Sequence, residues 1–187
     1  NKMTIFNTPI LLPLFSMLGK IIITLTQWRI HGELPKQPCI IIAAPHTSNW
    51  DFPLVMAAIF SQRWQINWIG KDSLFQGIGG GFMHWLGGMG VDRSKSNNFV
   101  HNCAQLFKNG EIQALAIAPE GTRKKTKYWK TGFYYIALEA QVPIVFGIIN
   151  AKEKSICLEY GFIPTGNIDD DFKKIQALYQ NAHGLIA

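Results

Sequence analysis

The sequence predicts an α/β fold: a single layered domain with a mixed central sheet flanked by helices, preceded by an apolar N-terminal helix. Three observations carry that expectation. Short β-branched runs alternate along the chain with longer stretches of helical apolar spacing, the pattern of a layered sheet-and-helix domain. The run Cys39-Ile40-Ile41-Ile42-Ala43-Ala44 is apolar without a break, as in a strand buried on both faces. Residues Ile10 to Leu25 are almost entirely apolar. A chain of 187 residues can bury one sizeable core. The expected division is therefore residues 1–30, a membrane-associated helical segment, and residues 31–187, the domain that carries the chemistry.

The elements follow in order. In Ile10 to Leu25 the polar residues Ser16, Lys20 and Thr24, with Gln27 beyond, form one narrow stripe on a helix. Sixteen residues reach only about 24 Å at 1.5 Å each, against a bilayer core of about 30 Å. Lys20 also falls near the middle, where a spanning helix least tolerates charge. The expectation is an interfacial or half-inserted helix, with a helix packed on the core as the alternative. No small-residue cleavage pattern of a signal peptide follows it. The chain opens at Asn1 with no initiator Met, which points to a start upstream or a trimmed terminus.

His31 to Pro38 reads as a turn, punctuated by Gly32, Pro35 and Pro38. A strand is expected over 39–44, a loop from Pro45 to Asn49, and a helix from Trp50 to Gln62 with Ser48 or Asn49 as N-cap. Ile66 to Gly70 is the next strand. Ser73 to Gly90 is glycine-rich, with a short helix around Phe82 to Leu86. A helix then spans Asn97 to Lys108, closed by Asn109-Gly110. Strands at Ala114 to Ala118, Pro143 to Ile149 and Ile156 to Gly161 alternate with helices at Gly132 to Ala140 and Asp169 to Ala182.

Only 16% of residues are charged, against about a quarter in soluble domains, so part of the surface is expected to face something other than water. The net charge of +6 points to an anionic partner: anionic lipid, a phosphorylated substrate or nucleic acid. Cys39, Cys103 and Cys157 form no C-x-x-C pair, which argues against a disulfide framework or a zinc site. His31, His84, His101 and His183 have no ligand spacing, and no dinucleotide fingerprint, P-loop or Gly-x-Ser-x-Gly elbow is present. No metal or other cofactor is expected.

Chemistry concentrates in Pro45-His46-Thr47-Ser48-Asn49-Trp50-Asp51. A strand ends, a histidine follows, and an aspartate opens the next helix. A carboxylate on one imidazole nitrogen selects the tautomer and makes the other nitrogen a base for a hydroxyl. The same residues also suit a plain loop, with Asp51 opposite a helix N-terminus. A second motif is Ala118-Pro119-Glu120-Gly121-Thr122-Arg123, where Gly121 permits a tight turn and Arg123 offers a planar fork suited to phosphate. A third is Gly90-Val91-Asp92-Arg93. Alone, each of these also fits an ordinary turn with a solvated arginine.

In their order these residues resemble the glycerolipid acyltransferases, the family that includes 1-acylglycerol-3-phosphate acyltransferases. The H-x4-D block is Pro45 to Asp51, the second block is Gly87 to Arg93, and the third is Ala118 to Arg123. The last is Val142-Pro143-Ile144, after the lead-in Lys130-Thr131-Gly132-Phe133. The resemblance covers about Cys39 to Ile149. It implies that His46 deprotonates an acceptor hydroxyl and that Asp51 orients His46. Arg93, Glu120, Gly121, Thr122 and Arg123 would hold the phosphate or glycerol end of the acceptor, and Pro143 would shape the acyl-donor side. The donor would be acyl-CoA or acyl carrier protein, the acceptor a lysophospholipid, first of all 1-acylglycerol-3-phosphate. Direct attack on the thioester would leave no covalent enzyme intermediate. The expected location is the cytoplasmic face of the inner (plasma) membrane, in contact with membrane lipids. The basic run Arg123-Lys124-Lys125-Thr126-Lys127, followed by Tyr128 and Trp129, suits a lipid headgroup zone or a cofactor phosphate. Aromatics beside basic residues also suit single-stranded nucleic acid, but no nucleic-acid module accompanies them, so no nucleic-acid partner is expected. Rival readings are an acyltransferase for a different lysolipid or hydroxylated acceptor, and a non-catalytic lipid-phosphate-binding membrane protein.

Overall fold

A computed structural model of the chain describes residues 3–46, 48–91, 96–121 and 129–180. Helix α1 (Leu11–Leu25) leads into a short strand β1 (Arg29–His31) and the central strand β2 (Cys39–Ala44). Then come α2 (Asp51–Gln62), β3 (Asn67–Lys71), α3 (Gly80–Trp85), β4 (Gly88–Val91), α4 (Ser96–Lys108) and β5 (Ala114–Ile117). The chain continues through α5 (Gly132–Ala140), β6 (Ile144–Asn150), β7 (Ser155–Phe162) and α6 (Ile168–Tyr179).

The strands form one seven-stranded sheet in the order β1-β7-β6-β2-β5-β3-β4. The pairings of β6, β2, β5, β3 and β4 are parallel; β6 and β7 run antiparallel, and β1 runs parallel to β7. The sheet is therefore mixed, as expected. Alternation along β2 explains its unbroken apolar run. Ile40, Ile42 and Ala44 join the core under α4, α5 and α6, while Cys39 and Ile41 join the core under α2. Both faces are covered by helices, so no position on β2 can be polar.

Helix α1 lies on α2 rather than on the sheet. Its buried residues Ser16, Gly19 and Ile23 form one stripe, and the Arg63 guanidinium donates to the Ser16 hydroxyl at 3.3 Å. The expected polar stripe thus divides: Ser16 packs inward, while Lys20 and Thr24 are exposed. Leu14, Met17, Leu18, Ile21, Ile22 and Leu25 stay exposed, so among the described residues most of the helix surface is left uncovered. Among the described residues no helix is long and apolar enough to cross a membrane.

Two strands differ from expectation. β1 lies between the expected helix and the expected turn, sharing only His31 with the turn. Its three residues alternate exposed, half-buried, exposed, which is too short a run to register as a strand pattern. β4 lies inside the glycine-rich segment. A Cβ on Gly88 would lie 2.6 Å from both the Phe75 and Trp68 rings, and one on Gly90 would lie 2.9 Å from Phe75. The rings take the place of side chains, so a strand that reads as a loop is required to be glycine-rich here.

Helix α6 is held by a buried polar knot. Asp171 accepts from the Tyr134 hydroxyl at 2.9 Å, from the Thr165 N–H at 2.8 Å and from the Thr165 hydroxyl at 3.0 Å. Burial raises the Asp171 carboxyl, but these donors, with Lys174, outweigh it and hold it below the ordinary range. At the other end of α6 the Tyr179 hydroxyl donates to the Ile42 carbonyl at 2.9 Å. Residues 151–187 lie beyond the sequence resemblance, yet β7 and α6 complete one face of the core and brace β2.

Candidate active site

Because β2, β5, β3 and β4 are parallel neighbours, their carboxyl ends meet at one edge of the sheet. In open α/β sheets that edge is where ligands bind. The loop after β2 carries His46, the turn after β5 carries Glu120 and Gly121, β3 ends in Lys71 and β4 in Val91. The register pairs Ile42 with Ile117, so positions four and three residues further on come together. Accordingly, the His46 backbone N–H donates to Glu120 Oε2 at 2.8 Å.

His46 Nδ1 lies 3.0 Å from Asp51 Oδ2. The same carboxylate oxygen accepts the Ser48 N–H at 2.8 Å. Asp51 is 2% exposed and the His46 side chain 31%, so the carboxylate is sealed while the imidazole reaches the surface of the site. With Nδ1 donating to the carboxylate, Nε2 is the nitrogen with a lone pair. Asp51 also opens α2, where the helix dipole favours a negative charge. Ser48 does not cap the helix as expected. Its hydroxyl accepts the Trp50 N–H at 3.1 Å, a local turn that brings the Ser48 N–H onto Asp51.

His46 and Asp51 both line a groove of about 1240 Å³, above the usual range for a drug-sized ligand. Its apolar lining includes Phe52, Val55, Met56 and Ile59 of α2, with Trp68 and Met83. The Phe52 and Trp68 rings meet edge-on at 4.7 Å, and the indole N–H of Trp68 donates to the Leu86 carbonyl at 3.1 Å. Among the described residues, the ionisable lining groups besides His46 and Asp51 are two lysines, Lys71 and Lys130, with Tyr135. A long apolar wall and two cations around one imidazole suit an amphiphile with an anionic head.

Gly121 also lines the groove. It has φ +62°, and a Cβ there would meet the stem of Lys130 at 2.9 Å. The Lys130 N–H donates to the Pro119 carbonyl at 2.8 Å, folding the Lys130 segment back over this turn. The Pro-Glu-Gly turn therefore seats a lysine, a role that the motif does not reveal by itself.

Of the expected site residues, the structure brings His46, Asp51, Glu120 and Gly121 together. Glu120 is turned to the His46 backbone rather than into the groove. Burial raises its carboxyl above the usual range, opposed by the bond from the His46 N–H and reinforced by the Asp51 charge. Pro143 sits elsewhere. It precedes β6 at the amino-terminal end of the strands, and its carbonyl accepts the Ile40 N–H at 3.0 Å. Arg93, Thr122 and Arg123, like Thr47, lie outside the described residues. Lys71 went unnoticed in the sequence, where only its place at a strand end singles it out. Burial pushes the Cys39 and Cys103 thiols up to about 12, so neither is a thiolate nucleophile.

The sequence profile of the family described as Acyltransferase matches residues 27–147, from just before β1 into β6. The chain belongs to the acyltransferase family. The match takes in the His46–Asp51 loop, both lysines and the Pro-Glu-Gly turn. Among solved structures this acyltransferase is similar to the 1-acyl-sn-glycerophosphate (LPA) acyltransferase PlsC from Thermotoga maritima. The TM-score is 0.61 at 16% identity, over 95% of this chain and 81% of that one. At that identity the likeness is one of fold. No curated protein matches the sequence.

Proposed function

We propose that this acyltransferase moves a fatty acyl group from an acyl thioester, acyl-CoA or acyl carrier protein, onto the free hydroxyl of a lysophospholipid. The first acceptor to consider is 1-acylglycerol-3-phosphate, with phosphatidic acid as product. The observation that carries this reading is the His46–Asp51 pair at 3.0 Å on the wall of a groove that is otherwise mainly apolar. His46 Nε2 takes the hydroxyl proton while the oxygen attacks the thioester carbonyl. The new C–O bond forms, the C–S bond breaks, and the thiolate leaves with the proton that His46 held. Asp51 balances the imidazolium between those two events. Glu120 acts one step back, fixing the backbone of His46. In the reading taken from the family resemblance, Arg93 and Arg123 hold the acceptor phosphate; the groove-lining Lys71 and Lys130 add positive charge beside it.

An acceptor panel with a thioester donor, read by mass spectrometry, tests this reading. Arg93→Ala and Arg123→Ala are each expected to weaken the apparent acceptor affinity by roughly tenfold to a hundredfold, the worth of one charge-assisted hydrogen bond. Donor affinity should change little, and lysine should rescue only in part. A defect confined to the donor would move both arginines to the donor's phosphates. Preference for an unphosphorylated acceptor would end the lysophosphatidate assignment.

The reading extends to the membrane. The exposed face of α1 suits burial in the headgroup–acyl boundary of the cytoplasmic leaflet, and the +6 charge favours anionic lipid. Removing α1 would bare its contact with α2, so surface substitutions make the cleaner test. Leu14, Leu18, Ile21 and Leu25 together changed to serine should move the protein from the membrane fraction to the supernatant. Wild-type protein that is already soluble without detergent would contradict this.

A further inference from the structure

Charge is distributed unevenly along the chain. Residues 3–28 contain one charged residue, Lys20, and residues 73–91 contain no Asp, Glu, Lys or Arg. These two segments adjoin in the fold. The Trp85 ring of α3 meets Phe15 of α1 edge-on at 5.6 Å, and its N–H donates to the Thr8 hydroxyl at 3.4 Å. Phe82 lies tilted against Trp85, with ring centroids 5.8 Å apart. Each segment leaves large apolar side chains in solvent. Beyond the face of α1, Leu74 and Phe82 are each 50% exposed, and Ile78 is fully exposed on the turn between Gly77 and Gly79. A glycine-framed turn that holds one isoleucine away from the protein does nothing for the core. Exposed apolar groups gathered in this way mark a contact surface.

The place of this loop in the site decides what the contact is. Leu74 and Met83, which bracket Ile78 in sequence, both line the groove. Lys71, just before the loop, lines it too. The loop is therefore a rim of the groove, apolar at its tip with a cation at its root, which complements an anionic bilayer. We propose that residues 73–83 form a second bilayer contact, distinct from α1. Ile78 and Phe82 enter the acyl-chain region, and the groove opens onto the membrane, so that the lysolipid acceptor enters sideways from the bilayer. The entry step rests on the acyltransferase reading; the bilayer contact does not.

The test uses the full chain and vesicles of phosphatidylcholine with phosphatidylglycerol. Ile78→Ser and Ile78→Asp remove an exposed side chain with no packing at stake, and the Ile78→Ser/Phe82→Ser pair strengthens the effect. Co-sedimentation measures binding. Turnover is measured with a long-chain lysophosphatidate embedded in the vesicles and with a short-chain one dissolved as monomer. The expected result is about tenfold or more weaker vesicle binding by the double variant. Turnover of the embedded acceptor should fall in parallel, while turnover of the dissolved acceptor stays within about twofold of wild type. Unchanged binding and unchanged turnover would overturn the proposal. A shift in oligomeric state by Ile78→Asp without a change in vesicle binding would overturn it too, by making the loop a contact between copies. Weakened vesicle binding in a protein with no turnover of either acceptor would uphold the contact and remove the acyltransferase reading instead.

Discussion

Replacing His46 with alanine is expected to lower kcat by about 10²–10⁴-fold, the usual share of a general base, with acceptor KM and melting temperature close to wild type. The structure explains why the loss should be confined to the chemical step. The His46 side chain is partly exposed, so its removal opens no cavity in the core. Its backbone N–H, which carries the bond to Glu120 Oε2, survives the substitution. Asp51 keeps the Ser48 N–H, so the loop retains its turn. The apolar wall from Phe52 to Met83 and the two lysines are untouched. Steady-state kinetics with donor and acceptor varied in turn would show the split. Turnover within threefold of wild type would take His46 out of the mechanism. A loss that appears in KM alone would make it a binding residue.

Much of the fold is legible because burial leaves a repeating mark. β2 is apolar at every position because helices cover both its faces, and α5, framed by Gly132 and Ala140, sits where helical spacing placed it. The segments that escape the sequence are those whose cause lies elsewhere in the chain. β4 is glycine-rich because Phe75 and Trp68, from other segments, fill the space its side chains would take. β1 depends for its existence on pairing with Ser155–Cys157, far along the chain. The packing stripe on α1 is Ser16, Gly19 and Ile23, two of which carry no apolar signal, while the louder apolar residues face outward.

The site divides in the same way. His46 and Asp51 stand close in sequence on a loop that only has to close on itself, so their pairing can be read from spacing. Glu120 meets the His46 loop through the parallel register of β2 and β5, which spacing does not encode. That is why Glu120 reads as an acceptor ligand in the sequence and as a brace for His46 in the structure. Pro143 is the opposite case. It belongs to a motif, but parallel strands put the start of β6 and the end of β2 at opposite edges of the sheet.

Asp51→Asn separates the two duties of the carboxylate. Oδ2 receives both His46 Nδ1 and the Ser48 N–H. An asparagine can meet the Ser48 N–H only by placing its carbonyl oxygen there, and that oxygen then also accepts Nδ1–H. The tautomer is preserved, and the charge that balances the imidazolium is lost. The expected result is a fall in kcat of roughly a hundredfold, with acceptor KM unchanged and the fold intact. Were the amide turned the other way, its NH₂ would face Nδ1 and force the proton onto Nε2. A triad histidine in the wrong tautomer loses about 10⁴-fold. The contest is decided by the Ser48 N–H, which the turned amide would leave buried against a donor at a cost of about 1–3 kcal/mol. Asp51→Ala, which gives up charge and orientation together, should therefore fall well below Asp51→Asn. Equal activity in the two variants would mean that Asp51 acts by charge alone. Wild-type turnover in Asp51→Asn, with a loss in Asp51→Ala, would mean that Asp51 acts by geometry alone.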